Sequence, residues 1–261
     1  MPKRNRNQVQ DRRQQKKGNK SRQEVQAVKY QEERKAKIIP LVAQNENQKK
    51  ALRSFIEKQL VVLSGSAGSG KSELAVWWAC KKWLDGDVDN IIITRADKGH
   101  GDTFPVQGND TMKMLTFLYP LLLKMKRYLG VGILRNNFNM EDTEILFSEA
   151  SGIQVVSMAK LGGMSFSDNT IIIADEVQSA TIAQVKSLVT RAEEGCQILI
   201  TGDTTQSPLK EVKENGLAYL ERKMLESPHE DAALIKFTPD DCCRYGISAH
   251  FTKVFEEDGV W

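Results

Sequence analysis

The sequence predicts a three-layer α/β fold in which helices cover both faces of a parallel sheet. The first observation is a series of short continuous apolar runs, which are typical of strands buried on both faces. After Pro40 these runs lie at 60–64, 91–94, 154–157, 171–174, 197–201 and 232–237. The second is that longer stretches with helical character separate most of them, at 47–58, 72–84, 110–128, 182–194 and 246–257. Strands that alternate with helices indicate a parallel α/β sheet.

The N-terminal segment differs in composition from the rest of the chain. Residues 1–40 contain 13 Lys or Arg and 4 Asp or Glu, a net charge of +9, while the other residues carry 24 and 30, a net charge of −6. So few apolar residues precede Val25 that burial cannot offset the entropy of ordering. We therefore expect a basic, largely disordered arm over 1–38, with a charged helix over 23–37, and one domain over 39–261. The arm either neutralises phosphates on a nucleic acid or is only a solvated tail.

The composition is that of a soluble, cytoplasmic protein. No run reaches the roughly 18 consecutive apolar residues that a membrane span requires, and the basic N-terminus has no apolar signal region. The cysteines, Cys80, Cys196, Cys242 and Cys243, lack zinc-ligand spacing. We expect the adjacent pair to be two reduced thiols in a packed segment. Neither a membrane partner nor a structural zinc site is expected.

A glycine-rich loop lies between the first predicted strand and the helix predicted over 72–84. Its residues are Gly65, Ser66, Ala67, Gly68, Ser69, Gly70, Lys71 and Ser72, which fit the pattern G-x-x-x-x-G-K-[ST]. Glycines allow successive amide groups to point at phosphate oxygens, and the N-terminus of the next helix adds a partial positive charge. We expect Lys71 to contact the β- and γ-phosphates and the Ser72 hydroxyl to ligate Mg²⁺. The sequence therefore predicts a site for a nucleoside triphosphate with magnesium.

Two later strands end in polar residues that belong at the same edge of the predicted sheet. Asp175 and Glu176 follow the run at 171–174, and Gln206 comes shortly after the run at 197–201. Ligands of open parallel sheets bind at the carboxyl ends of the strands, which places these side chains beside the phosphate loop. We expect Asp175 to hold Mg²⁺, directly or through water, and Glu176 to orient the attacking water. Gln206 is expected to sense the γ-phosphate.

Several segments together resemble the PhoH family of ATPases in their order and spacing. They are GSAGSGKS at 65–72, DEVQ at 175–178, VTRAEEG at 189–195 and TGDTTQ at 201–206. The resemblance spans about 45–255. It implies a P-loop NTPase with a RecA-like core similar to that of the superfamily I nucleic-acid helicases.

The resemblance also implies roles for three further residues. Gln48, in the segment NENQ, matches a family glutamine that reads the adenine edge, which would favour ATP over GTP. Arg244, in DCCRYGI, is a candidate for contact with the γ-phosphate, and Arg191 is a candidate arginine finger for the site of a neighbouring subunit. Each arginine has a structural alternative. Arg191 could cap the end of its helix, and Arg244 could pair with Asp240 or Asp241.

Two segments depart from the family pattern. GDTFPVQG at 101–108 replaces a Gly-Phe-Leu-Pro-Gly element, and KLGGMSF at 160–166 stands where the family usually has Arg-Gly-Arg-Thr. Both are candidate loops for contact with nucleic acid, so the departures leave RNA and DNA open as substrates. Divergence of this kind is found among bacteriophage members, whose place of action is the cytoplasm of the host.

The predicted function is Mg²⁺-dependent ATP hydrolysis by a helicase-like ATPase that acts on RNA or single-stranded DNA. The sequence shows a single nucleotide-binding domain, whereas translocation needs two lobes around each ATP, so we expect a homo-oligomer, most simply a hexameric ring. One alternative is an ATP-gated nucleic-acid-binding protein with little turnover. Another is a phosphotransferase like the cytosolic thymidine kinases, which share the phosphate loop and an Asp-Glu-x-Gln strand end but usually add a four-cysteine zinc lobe.

Overall fold

A computed structural model describes residues 37–96, 110–137, 152–161, 165–166, 169–206 and 215–258. Apart from Lys37, these residues belong to one unit, Ile38–Trp261. The predicted arm over 1–38 and its helix over 23–37 lie outside the described residues except at Lys37 and Ile38. The candidate loop at 101–108 and residues 162–164 of the other candidate loop also lie outside them.

The described residues form one six-stranded sheet, and every strand lies where an apolar run predicts it. The strands are β1 (Leu60–Gly65), β2 (Asn90–Arg95), β3 (Ile153–Val155), β4 (Thr170–Asp175), β5 (Gln197–Gly202) and β6 (Ala232–Phe237). Their order across the sheet is β3-β2-β4-β5-β1-β6, and all neighbouring pairs are parallel. The predicted parallel α/β fold is therefore confirmed. Because the strands are parallel, their carboxyl ends share one edge of the sheet.

Helices lie between successive strands of the sheet, and others lie before β1 and after β6. They are α1 (Glu46–Glu57), α2 (Lys71–Asp85), α3 (Asp110–Asn137), α4 (Met158–Leu161), α5 (Ile182–Val189), α6 (Gly216–Glu226) and α7 (Gly246–Glu257). Short 3₁₀ turns follow β4, β5 and β6, at Val177–Ser179, Thr204–Gln206 and Pro239–Asp241. Within the described ranges, no helix combines the length and the apolarity needed to cross a bilayer.

The core lies on both faces of the sheet. Val62, Ile92 and Ile172 belong to one buried cluster, which α5 joins through Val185 and Leu188. Successive side chains of a strand point to opposite faces, so the neighbours of these residues, themselves buried, face the other side. Burial on both faces explains why the strands read as uninterrupted apolar runs rather than as alternating patterns.

Helix α5 is shorter than predicted. It ends at Val189 rather than at 194, because the chain beyond it pairs with Phe166 in a parallel bridge. The amide of Phe166 donates to the Arg191 carbonyl at 3.3 Å, and the amide of Glu193 donates to the Phe166 carbonyl at 3.1 Å. These bonds take the backbone groups that a further helical turn would use. The helical pattern of the sequence therefore extended beyond the helix itself.

Helix α3 differs from the prediction in the opposite direction. The predicted helix over 110–128 continues to Asn137, but Gly130 has φ 80° and ψ 161°, so the helix is interrupted by a kink there. A glycine adopts this conformation without the steric cost that a Cβ would bring. The predicted end at 128 is thus close to the end of the first straight segment.

Helix α6 was missed by sequence analysis, although it has a recognisable start. Asn215 caps its N-terminus, with Oδ1 accepting a 3.1 Å hydrogen bond from the amide of Ala218. Leu217 is fully buried, and Leu220 and Met224 pack partly buried against the same cluster. This spacing is helical and marks the inner face of α6.

Candidate nucleotide-binding site

The phosphate loop connects β1 to α2 and is built tightly against neighbouring segments. Gly65 has φ 115°, and a Cβ at this position would lie 2.0 Å from the carbonyl oxygen of Phe237 in β6. Gly68 has φ 76°, and a Cβ there would lie 2.8 Å from Nε of Arg244. The positive φ angle favours glycine at both positions, and at Gly65 the fixed backbone of Phe237 also leaves no space for a Cβ. The loop is held close to β6 and to the segment that follows it.

The Lys71 side chain curls back over the phosphate loop. Its ammonium group donates to the carbonyl oxygens of Gly65 at 2.6 Å and Ser66 at 2.7 Å, and to Ser69 Oγ at 3.3 Å. Ser69 Oγ in turn donates to the Ser66 carbonyl at 2.8 Å. A full positive charge is thus positioned within the curve of the loop, at the start of α2, where the partial positive charge of the helix adds to it.

Asp175 lies beside the loop and accepts hydrogen bonds from two hydroxyl groups. Ser72 Oγ donates to Asp175 Oδ1 at 2.7 Å, and Thr201 Oγ1 donates to the same oxygen. Thr201 belongs to β5, which lies between β4 and β1 in the sheet. Asp175 is only 6% exposed. Sequence analysis placed Ser72 and Asp175 together but assigned no role to Thr201, although this residue begins the segment TGDTTQ.

Glu176 follows β4 in an unusual backbone conformation. Its φ of 55° lies in the left-handed region. Residues other than glycine adopt this backbone conformation at a cost of about 1–3 kcal/mol. Gln178 Nε2 donates to Glu176 Oε2 at 2.6 Å, while Gln178 Oε1 accepts from the amide of Asp203 at 3.1 Å. The buried amide of Gln178 therefore fixes the Glu176 carboxylate and joins the ends of β4 and β5.

The turn after β5 is organised by Asp203. Its Oδ1 accepts from the amide of Thr205 at 3.0 Å and from Thr205 Oγ1 at 2.6 Å, and its Oδ2 accepts from Gln206 Nε2 at 3.0 Å. These bonds hold the Gln206 side chain at the rim of the site. Asp203 is 4% exposed, so it is chiefly the anchor of this turn.

Gln48 connects α1 to the phosphate loop. Its Nε2 donates to the Ser69 carbonyl at 2.9 Å and to Cys243 Sγ at 3.0 Å, and its Oε1 accepts from the amide of Gln44 at 2.8 Å. Both ends of the amide are thus bound by protein groups, and the residue is 4% exposed. The structure places Gln48 next to the loop, and its contact with adenine remains a prediction.

The segment after β6 approaches the loop from the other side. The amide of Cys243 donates to the Gly68 carbonyl at 2.9 Å, and Arg244 Nη1 donates to Thr252 Oγ1 in α7 at 3.1 Å. Cys242 and Cys243 are free thiols, as expected, and burial raises the pKa of Cys243. Arg244 thus lies beside the loop.

The alternative role for Arg244, an ion pair with a neighbouring aspartate, is not what the structure shows. Asp240 pairs with Lys253 at 3.1 Å, and Asp241 accepts from Asn47 Nδ2 at 2.8 Å.

Arg191 is exposed on the segment after α5, where Thr190 is the C-terminal cap of that helix. The structure therefore brings Arg244 to the loop within one chain and leaves Arg191 on the surface.

A cleft of about 420 Å³ joins these groups, which is within the range of small-molecule sites. The predicted residues that line it are Ala67, Gly68, Gly70, Lys71, Ser72, Asp175, Glu176, Gln206 and Arg244. The predicted residues outside its lining are Gln48, Gly65, Ser66, Ser69 and Arg191. Residues to which sequence analysis gave no role also line it, namely Glu73, Lys124, Thr201 and Cys243. The cleft is therefore lined by both cations and carboxylates, a combination suited to a phosphate chain with a metal ion.

Comparison with known proteins agrees with this geometry. The family model described as PhoH-like protein matches residues 40–256. Protein PhoH of Escherichia coli (strain K12) is 29% identical over 214 residues, covering 80% of this chain and 56% of that protein. A PhoH-like protein of Bacillus subtilis (strain 168) is 28% identical over 231 residues, covering 87% of this chain and 68% of that protein. The chain thus spans little more than half the length of the E. coli relative.

Among solved structures, the UvsW helicase from bacteriophage T4 is similar with a TM-score of 0.46 and 14% identity, covering 78% of this chain and 64% of that one. The family model matches 217 of the 261 residues, from 40 to 256. It covers the phosphate loop, both acidic strand ends and the Arg244 segment, that is, every element that builds the cleft. The protein belongs to the PhoH family.

Proposed function

We propose that this protein binds ATP together with Mg²⁺ and hydrolyses it, and that it acts on RNA or single-stranded DNA. The observation that supports this best is the convergence of Lys71, Ser72 and Asp175 at the junction of β1 and α2. A lysine, a hydroxyl and a carboxylate at a glycine-rich loop form the constellation that holds a triphosphate and its metal ion.

Phosphate binding uses the loop amides, the N-terminus of α2 and the Lys71 ammonium. Lys71 now donates to loop carbonyls and a serine hydroxyl, and phosphate oxygens would take over as its partners. Phosphates are better acceptors than carbonyls for a charged donor, because both partners are then ionised. Arg244 lines the same cleft and is positioned to add a second cation.

The hydroxyl of Ser72 and the carboxylate of Asp175, beside the phosphate loop, are suited to bind magnesium. Ser72 Oγ and Asp175 Oδ1 are 2.7 Å apart, so both can face one small cation, and hydroxyl and carboxylate oxygens are the ligands that Mg²⁺ prefers. Thr201 holds the Asp175 carboxylate from the β5 side. Bound Mg²⁺ would neutralise charge on the β- and γ-phosphates.

Glu176 is proposed to orient the attacking water and accept its proton. Its carboxylate lines the cleft and is fixed by Gln178, whose own amide is anchored at the end of β5. A positioned general base contributes about 10²- to 10⁴-fold to the rate. Gln206 lies at the rim, held by Asp203, and is proposed to report the presence of the γ-phosphate.

The nucleic-acid partner is proposed on electrostatic grounds. The net charge of +9 over residues 1–40 is suited to contact with phosphates, and the domain contributes one nucleotide site. We propose that chains assemble into a ring in which the exposed Arg191 of one chain reaches the cleft of the next. The assembly brings two lobes to each ATP, as a translocating enzyme requires.

One experiment tests the proposed activity. ATP turnover of the full chain is measured with Mg²⁺ alone, with single-stranded RNA and with single-stranded DNA, beside a Lys71→Met variant. We expect turnover that one of the nucleic acids stimulates and that Lys71→Met abolishes. Tight ATP binding without turnover under all three conditions would favour instead an ATP-gated nucleic-acid-binding protein.

A further inference from the structure

We propose that Lys124, on helix α3, is a further phosphate-binding residue that contacts the triphosphate from the side opposite the loop; this inference rests on the proposed function. Lys124 lines the cleft together with Lys71, Glu176 and Arg244. It belongs to none of the motifs in the sequence, and it is brought to the site only by the packing of α3 on α2.

The geometry of α3 orients Lys124 toward the cleft. Leu118, Leu121 and Met125 are buried and form the inner face of the helix. Tyr128 lies at one margin of this face, and its hydroxyl donates a hydrogen bond to Glu73 Oε1 in the first turn of α2. Lys124 precedes Tyr128 by four residues and therefore lies on the same margin of the helix, one turn away. The Tyr128–Glu73 contact thus holds this side of α3 at the edge of the cleft.

The carboxylate of Glu73, which also lines the cleft, has hydrogen-bond donors other than Lys124. Glu73 Oε1 accepts from the Tyr128 hydroxyl, and Arg127 Nη1 lies 3.5 Å from the same oxygen. The Lys124 ammonium group forms no hydrogen bond or ion pair within the part of the chain that the structure describes. Its side chain is half-buried, so its charge is partly removed from solvent screening.

The balance of charges in the cleft favours an additional cation when a triphosphate is bound. Several carboxylates line it, and a triphosphate adds further negative charge, while Lys71 and Arg244 are the cations that the motifs supply. An ammonium group on a flexible stem binds phosphate as a point charge and can follow it between positions. Lys124 meets this description, and we infer that it binds the phosphate chain of ATP.

Calorimetric titration with Mg·ATP tests this inference. Lys124→Met is compared with the wild-type chain and with Lys126→Met, a matched control that removes an exposed lysine from the same helix. We expect Lys124→Met to weaken ATP binding about tenfold, because the variant loses one charged hydrogen bond. Lys126→Met should bind as the wild type does, and Lys124→Arg should retain most of the affinity. Unchanged thermal unfolding of each variant without nucleotide confirms that its fold is intact.

The outcomes separate this inference from the proposed function. A wild-type chain that binds ATP, with a folded Lys124→Met variant of equal affinity, would overturn the role of Lys124 and leave the ATPase assignment standing. A wild-type chain that does not bind ATP would instead contradict the proposed function itself.

Discussion

The hydroxyl of Ser72 donates a 2.7 Å hydrogen bond to Asp175 Oδ1, across 103 residues of sequence. The contact joins the first turn of α2 to the end of β4, although β5 lies between β4 and β1 in the sheet. Thr201 of β5 completes the connection with its own hydrogen bond to Asp175. The proposed metal site therefore depends on the first turn of α2 meeting the carboxyl ends of β4 and β5 at one edge of the sheet.

Glu176→Gln should slow ATP hydrolysis about 10²- to 10⁴-fold, because an amide cannot accept the proton of the attacking water. ATP affinity should be retained, since the substitution leaves Lys71 and the loop unchanged. Single-turnover kinetics together with equilibrium binding separate the two effects. Normal turnover by this variant would show that another group orients the water.

Thr201→Val should raise the Mg²⁺ concentration needed for half-maximal ATPase activity by about tenfold. The variant removes a hydroxyl that donates to an ionised carboxylate, an interaction worth about 1.5–3 kcal/mol. Thr94→Val is a useful control, because the buried Thr94 hydroxyl at the end of β2 has no hydrogen-bond partner among the described residues. Its Mg²⁺ requirement should stay at the wild-type value. Equal magnesium requirements in both variants would argue against Thr201 as a support for Asp175.

Gly65→Ala should destabilise the fold, because it introduces a Cβ 2.0 Å from the Phe237 carbonyl at φ 115°. The backbone strain alone costs about 1–3 kcal/mol. A Cβ at Gly132 would meet no atom of the described chain within 4 Å. Gly132→Ala should therefore leave the free energy of unfolding unchanged or raise it by about 0.5–1 kcal/mol, as expected for this substitution within a helix. Urea denaturation followed by circular dichroism measures both. Two variants of equal stability would mean that the loop and β6 can move apart without cost.

The two arginines should respond differently to the state of assembly. Arg244→Ala should lower turnover about 10³-fold or more at every protein concentration, since Arg244 lines the cleft of its own chain. Arg191→Ala should lower turnover only where the chain self-associates, which sedimentation can establish in the same buffer. A slow Arg191→Ala variant under conditions where the chain is monomeric would contradict its role across a subunit interface.

Sequence patterns were sufficient to predict the strands of the sheet and the phosphate loop. Buried parallel strands give continuous apolar runs, so all six strands were placed to within one or two residues at their ends. The phosphate loop and the residues at the ends of β4 and β5 are local signals, each within a few positions of a strand end. Their convergence follows from parallel topology alone, which is why Lys71, Ser72, Asp175 and Glu176 were predicted to meet.

Features that depend on packing between distant segments could not be predicted from local sequence patterns. The end of α5 is set by the bridge to Phe166, and Thr201 acts through a carboxylate on a different strand. Lys124 enters the cleft because α3 packs on α2 through the Tyr128–Glu73 contact, which no spacing in the sequence encodes. Gln178 was recognised as part of a motif, but its role as the support of Glu176 became clear only from the structure.

Isothermal titration calorimetry of the full chain with Mg·ATP is the most direct test of the central claim, that the loop between β1 and α2 holds a triphosphate. We expect one ATP to bind per chain. Binding should be lost in Lys71→Met and retained in Lys81→Met, which replaces a lysine farther along α2 whose ammonium group pairs with Asp85. Absence of heat with folded wild-type protein, or equal binding by Lys71→Met, would contradict it.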